Sequence, residues 1–400
     1  MVCFCEPPVA TTDERIKMAG FQCETHSVTS SDGYILKLFR IVTSARNSTA
    51  SPKRRFPVML QHGFVMSSDI YVVRNDALGF GLARDNWDVW LGNIRGTSYT
   101  RQHKWLSPNE PEFWNYSFDD IGRKDLPAMI DFILNHTRSP RLNYIGHSMG
   151  TTAFYVMAST VPSYNRKINS MISLSAVSKM AGWHFLLNDN SYFYQFIYEQ
   201  LMKNLRRKKV EIFPRVGMEG LSEHQCKHED FHLYMRVAFE FVKMVMIQWA
   251  HGEKVFPDSS STKNFLHFLQ VMGSANFQRY DYGREKNLKV WGSESPPLYN
   301  LSKIRAPMIF YIASGDLILE QDCENLARSL PNLVFVMKIP YLTFGHMDFL
   351  WPTSDLNLEY RRKMEASITD ELSKRDRDLA PTDKIVKNIC DHNKDCIKVM

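Results

Sequence analysis

The sequence predicts an α/β fold with a mostly parallel, buried central sheet flanked by helices and carrying a helical insertion. Three observations predict it. Short β-rich runs alternate with helical patterns through the first half; this rhythm breaks near Met180; and it resumes at Met308. Strand and helix alternating in this way imply parallel βαβ units.

The elements follow in order. Tyr34 to Val42 alternates apolar and polar residues after the turn Ser31-Asp32-Gly33 and reads as an early strand. Val58-Met59-Leu60 is an apolar run ending at His62-Gly63, and Val89-Trp90-Leu91 another ending at Gly92-Asn93. Ala77 to Arg84, between them, is helical in pattern. Leu126 to Leu134 has helical spacing up to the turn Ser139-Pro140; Leu142 to Ile145 is a strand, Thr151 to Ala158 a helix, and Ile168 to Leu174 a strand. From Trp183 to about Tyr282 the pattern is helical and rich in aromatics. Met308 to Ile312 and Leu333 to Ile339 are then strands around a helix from Gln321 to Leu330. The division expected is a core of residues 1–180 and 284–368, a helical cap over 181–283, and a charged extension over 369–400 that reads as a peripheral helix or disorder.

Bulk properties narrow the function. The 400 residues, 44% hydrophobic and 23% charged, can fill one sizeable core. A net charge of +6 without an aromatic-interleaved basic stripe argues against a nucleic-acid partner. The basic run Arg206-Arg207-Lys208-Lys209 reads as a solvated helix end. No uninterrupted run of about 18 apolar residues offers a spanning helix. Met1 to Gly20 lacks the apolar stretch of a secretory signal. The seven cysteines show no CxxC pairing, and sequons stand at Asn47, Asn115, Asn135 and Asn300.

Gly146-His147-Ser148-Met149-Gly150 carries the chemistry. Three fixed positions are a modest signal, but here a strand precedes them and a small-residue helix start, Thr151-Thr152-Ala153, follows. A sharp strand-to-helix turn lifts a serine hydroxyl above the sheet edge, and flanking glycines permit the close contacts it needs; this is the nucleophile elbow of the α/β-hydrolase fold. Serine is a weak nucleophile until a histidine held by a carboxylate takes its proton, and in this fold the chain order is Ser, acid, His. Asp316 follows the strand at Met308, and His346 follows the strand ending at Ile339. Glu320 and Asp322 suit helix capping better, and Asp348 lies too close to His346 along the chain to orient it. The oxyanion requires two donors, for which the backbone N–H groups of Met149 and Phe64 are the candidates. His62, in the Phe64 loop, reads as a brace.

His228-Glu229-Asp230-Phe231-His232 matches the helical zinc motif H-E-x-x-H. It lies within the insertion and lacks a third-ligand continuation, so a solvated helix start is the better account. No cofactor or metal is expected.

The chain resembles the acid lipases, the gastric and lysosomal lipases and their relatives. The likeness rests on Ser31-Asp32-Gly33-Tyr34, Leu60-Gln61-His62-Gly63, Trp90-Leu91-Gly92-Asn93-Ile94-Arg95-Gly96, Gly146-His147-Ser148-Met149-Gly150, Phe277-Gln278-Arg279-Tyr280-Asp281-Tyr282-Gly283 and Gly345-His346-Met347-Asp348-Phe349. It runs from about residue 10 to about 367. The resemblance implies hydrolysis of triacylglycerols or steryl esters in a secreted or lysosomal setting; a substrate met at a membrane, micelle or droplet surface and a monomeric chain are expected. It places nucleophile, acid and base on Ser148, Asp316 and His346, and oxyanion donors on Phe64 and Met149. Two departures stand out: the family usually has Gln where Met149 stands, and Cys226 lacks the second cysteine of a cap disulfide. The aromatic cluster Trp183, Phe185, Tyr192, Phe193, Phe196, Ile197 and Tyr198 suits an acyl-chain channel or core packing. A short-chain esterase, a thioesterase, or a non-catalytic binding relative are the alternatives.

Overall fold

A computed structural model of the chain describes residues 9–43, 55–182, 209–213, 255–316 and 319–377. The HExxH segment, Cys226, Asn47 and the aromatic cluster from Trp183 to Tyr198 lie outside these residues. Sequon residues Asn115, Asn135 and Asn300 are exposed.

A nine-stranded sheet forms the centre. Its strands are β1 (Gln22–Thr29), β2 (Tyr34–Val42), β3 (Val58–Gln61), β4 (Val89–Asn93), β5 (Gln102–His103), β6 (Leu142–Ser148), β7 (Ile168–Ala176), β10 (Met308–Ala313) and β11 (Leu333–Ile339), while β8 (Glu211–Ile212) and β9 (Ser260–Ser261) form a separate ribbon. The order is β1-β2-β4-β3-β6-β7-β10-β11, with β5 paired to β2. Every pairing from β4 to β11 is parallel, whereas β2 runs antiparallel to both β1 and β4. All residues of β6, β7 and β10 are buried, as befits parallel strands covered on both faces.

The expected strands are present with small extensions. The strand β1 was not among those expected, and its composition explains why. Gln22-Cys-Glu-Thr-His-Ser-Val-Thr has one fully buried residue, Val28, so an edge strand held by eight register pairs to β2 leaves almost no hydrophobic alternation to read.

Helices α1 (Thr12–Met18), α2 (Leu78–Arg84), α3 (Phe118–Asp120), α4 (Leu126–Thr137), α5 (Met149–Thr160), α6 (Thr262–Ser274), α7 (Arg284–Trp291), α8 (Glu320–Ser329) and α9 (Asp355–Arg377) are joined by short 3-10 turns and one π-helical turn at Ile121–Asp125. Within α5 only Thr160 escapes burial, which places this helix in the middle of the packing. The boundary expected at residue 368 does not coincide with a break. Met364, Ile368 and Leu372, each four residues apart, are fully buried, so one apolar stripe carries α9 into the charged segment and on to Arg377.

Candidate active site

The turn at Ser148 joins β6 to α5. Ser148 has φ 52° and ψ −121°, a conformation costly for a residue with a Cβ. Neighbouring glycines make the turn feasible: a Cβ on Gly146 would lie 2.9 Å from the backbone of Gly150, and one on Gly63 would lie 3.0 Å from Ser148 Cβ. The loop carrying Gly63 and Phe64 therefore runs directly against the serine. Ser148 also stands at the N-terminus of α5, where the helix dipole favours developing negative charge.

Asp316 and His346 come from different loops at the same sheet edge. Asp316 follows β10, and its Oδ2 accepts from His346 Nδ1 at 2.7 Å, with both side chains buried. Since Nδ1 donates, Nε2 is left with a free lone pair; it is buried and has no hydrogen-bond partner among the described residues. The rival acids have other work. Asp348 Oδ2 accepts from Gly345 N at 2.8 Å and its Oδ1 from Thr353 N and Asn357 Nδ2, so it braces the His346 loop from within. Burial raises its carboxyl above the usual range. Glu320 accepts from Ser314 Oγ, and Asp322 accepts from Gly182 N at 3.3 Å.

Two further residues hold this pair, and neither was expected. His147, next to the serine, donates from Nε2 to the His346 carbonyl at 2.9 Å. Burial drives its imidazole well below the ordinary histidine range, and nearby His346 adds to the effect, so the ring stays neutral. Ser175, at the end of β7, contacts Asp316 Oδ2 and lies 2.9 Å from His346 Nδ1. No local sequence pattern distinguishes Ser175 from Ser173 two residues earlier, because the distinction arises from a sheet irregularity.

The loop carrying Gly63 and Phe64 is braced from both sides. Tyr71 donates to the Gln61 carbonyl at 2.8 Å, and His62 pairs with the Gly63 carbonyl through Nδ1 at 2.9 Å while Nε2 accepts from Ile94 N. Burial lowers His62 to about 4, which keeps it a neutral brace and not a base. Val65 sits at φ 50°, unusual for a β-branched residue, and its carbonyl accepts from Asp258 N at 2.7 Å. Asp258 is itself tied to Ser98 through the backbone N–H and the hydroxyl. The Phe64 ring packs 6.1 Å from Phe265 and 5.5 Å from Phe268, both on α6.

Among the described residues, Glu24, His26 and His136 bring three ligand atoms within 4.8 Å of one another. A guanidinium already supplies the cation there. Arg40 Nη1 lies 2.8 Å from Glu24 Oε2 and 3.2 Å from His136 Nε2, and Asp88 anchors Arg40 at 2.8 Å. A metal ion would stand against that buried charge.

Comparison with known proteins identifies the family. Residues 57–353 match the model of the alpha/beta hydrolase fold, and residues 12–75 match a partial alpha/beta-hydrolase lipase region. The chain is 35% identical over 361 residues to Lipase 1 of Drosophila melanogaster, covering 89% of this chain and 79% of that protein. It is 32% identical to the gastric triacylglycerol lipase of Bos taurus, with 84% and 86% covered. The lysosomal acid lipase/cholesteryl ester hydrolase of Homo sapiens is also 32% identical, over 84% of this chain and 86% of its own. The chain belongs to the acid lipase family of the α/β-hydrolase superfamily, a family of carboxylic ester hydrolases.

Proposed function

We propose that the chain hydrolyses carboxylic esters of neutral lipids, triacylglycerols or steryl esters, through an acyl-enzyme on Ser148. The observation that carries this reading is the buried Asp316–His346 pair standing at the same sheet edge as the strained Ser148 turn. Ser148 Oγ attacks the ester carbonyl while His346 Nε2 takes its proton, and Asp316 stabilises the imidazolium. The N–H groups of Phe64 and Met149 receive the oxyanion. His346 then protonates the leaving alcohol, and water, deprotonated by the same nitrogen, releases the fatty acid.

The lipid assignment is supported by the relatives' own activities and by the apolar wall of Phe64, Phe265 and Phe268 beside the oxyanion loop. Such a substrate would be met at a membrane, micelle or droplet surface. No helix among the described residues is long and apolar enough to cross a membrane. A secreted or lysosomal setting is the one the gastric and lysosomal relatives suggest, and residues 181–283 are the segment assigned to the cap.

Labelling with a fluorophosphonate probe tests the nucleophile. The wild-type chain should label and Ser148→Ala should not; unchanged labelling of the variant sinks the assignment. Rates on esters of increasing acyl length test the substrate class. A steep fall beyond short chains would indicate a short-chain esterase instead.

A further inference from the structure

The parallel register between β6 and β7 slips at the active site. His147 pairs with Leu174 but Ser148 pairs with Ala176, which leaves Ser175 as an extra residue bulged out of the ladder. Bulges next to active sites re-aim a side chain that the pleat would direct elsewhere. Ser175 also has φ 48°, in the left-handed region that a residue with a Cβ adopts only under constraint. Its side chain is buried, and its hydroxyl touches both Asp316 Oδ2 and His346 Nδ1.

From these three observations we propose that Ser175 is a positioning residue of the catalytic apparatus, the orienting donor that holds Asp316 against His346. A hydroxyl has one proton. Donated to Asp316 Oδ2, it leaves only lone pairs of Ser175 Oγ facing His346 Nδ1. A lone pair at Nδ1 would meet them repulsively, whereas an Nδ1–H is accepted by both oxygens. The same hydroxyl therefore limits rotation of the carboxylate and selects the tautomer that leaves Nε2 free to act as base. The left-handed backbone and the bulge are what bring a β7 side chain into this position.

The proposal rests on the reading of Ser148 as nucleophile, and the test separates the two. Ser175→Ala and Ser175→Gly both lack the hydroxyl, but glycine also relieves the positive φ. The full chain is assayed on a soluble ester, with fluorophosphonate labelling and thermal melting alongside. Both variants should lose kcat about tenfold with KM within about twofold, and both should still label at Ser148, more slowly. The Gly variant should melt no lower than the Ala variant. The low-field proton resonance of the His346 Nδ1–H should shift in both. If Ser175→Gly turns over like wild type, the position matters only for its backbone and the proposal fails. It fails equally if neither variant loses kcat, or if the loss appears in KM. Should Ser175→Ala not fold, Ser175→Gly carries the comparison alone. Labelling that persists in Ser148→Ala would instead overturn the nucleophile assignment, whatever the Ser175 variants do.

Discussion

Replacing Asp316 by Asn preserves shape but sets an amide against His346 Nδ1, now 2.7 Å from a carboxylate oxygen. The amide N–H favours the opposite imidazole tautomer, with the proton on Nε2, so kcat should fall by about 10⁴-fold while the fold is retained. Steady-state kinetics with circular dichroism as control checks this. Met149 makes a different point. Its backbone N–H is the part assigned to catalysis, whereas its sulfur sits 3.3 Å from Asn264 Nδ2, and Asn264 Oδ1 is buried with no partner among the described residues. Met149→Gln, the residue usual in the family, offers that oxygen a donor. It should stabilise the protein by about 1 kcal/mol in urea unfolding and leave Ser148 labelling intact. A destabilised variant would mean that the orphaned oxygen cannot be reached.

At the scale of elements, the segment leading into α6 acts from outside on the loop bearing Phe64. Val65 at φ 50° stores strain of about 1–3 kcal/mol, and the Asp258 N–H holds its carbonyl. The Asp258 carboxylate in turn accepts from Ser98 N at 2.8 Å and Ser98 Oγ at 2.7 Å. Asp258→Ala should therefore lower the melting temperature and also reduce kcat, because the loop bearing Phe64 loses its outer anchor. A fall in stability with kcat unchanged would show that the loop holds its shape unaided. Helix α9 offers a second case. Leu372 lies within the segment whose composition reads as a charged extension, yet it is fully buried. Leu372→Ala should cost about 2–5 kcal/mol, as for a core leucine, and chemical denaturation measures it.

For the whole molecule, buried histidines and buried carboxyls pull the response to acid in opposite directions. Burial lowers His62 to about 4 and His267 to about 3; His267 is stacked 3.7 Å from Phe118 and pairs with the Gln278 carbonyl. The unfolded chain takes up these protons near the ordinary histidine value of 6.5, before the fold does. Their stabilisation is thus complete above pH 6.5 and is lost as pH falls toward those folded values, by about 1.4 kcal/mol per pH unit for each group. Two carboxyls on α9 act oppositely. Burial raises Glu365 to about 7 and Asp376 to about 6, so their contribution is full in acid and is lost as pH rises through those values. The two sets nearly offset between pH 4 and 7, so the histidine contribution is read as a difference: in urea unfolding, His267→Gln should lose less stability toward acid, relative to pH 7, than the wild-type chain. An equal slope in the variant would contradict a neutral buried His267.

What the sequence alone determined is local and periodic. The runs at Val58, Leu142, Ile168 and Met308 announce their strands because both sheet faces are buried; Ser148 and Asp316 are legible because each ends or follows such a strand, and His346 because it follows the half-buried β11. The glycines around Ser148 are local too, since they answer to contacts within one turn. Tertiary structure decided what depends on a neighbour. The polar edge strand β1 exists through its pairing with β2, and α9 continues past Ile368 because a stripe of three residues meets the core. Ser175 faces Asp316 and His346 only because the β6–β7 register slips by one residue, and Asp258 reaches Val65 across nearly two hundred positions of chain. A one-residue slip in a sheet redirects a side chain without altering composition or period, so it leaves no trace in the sequence.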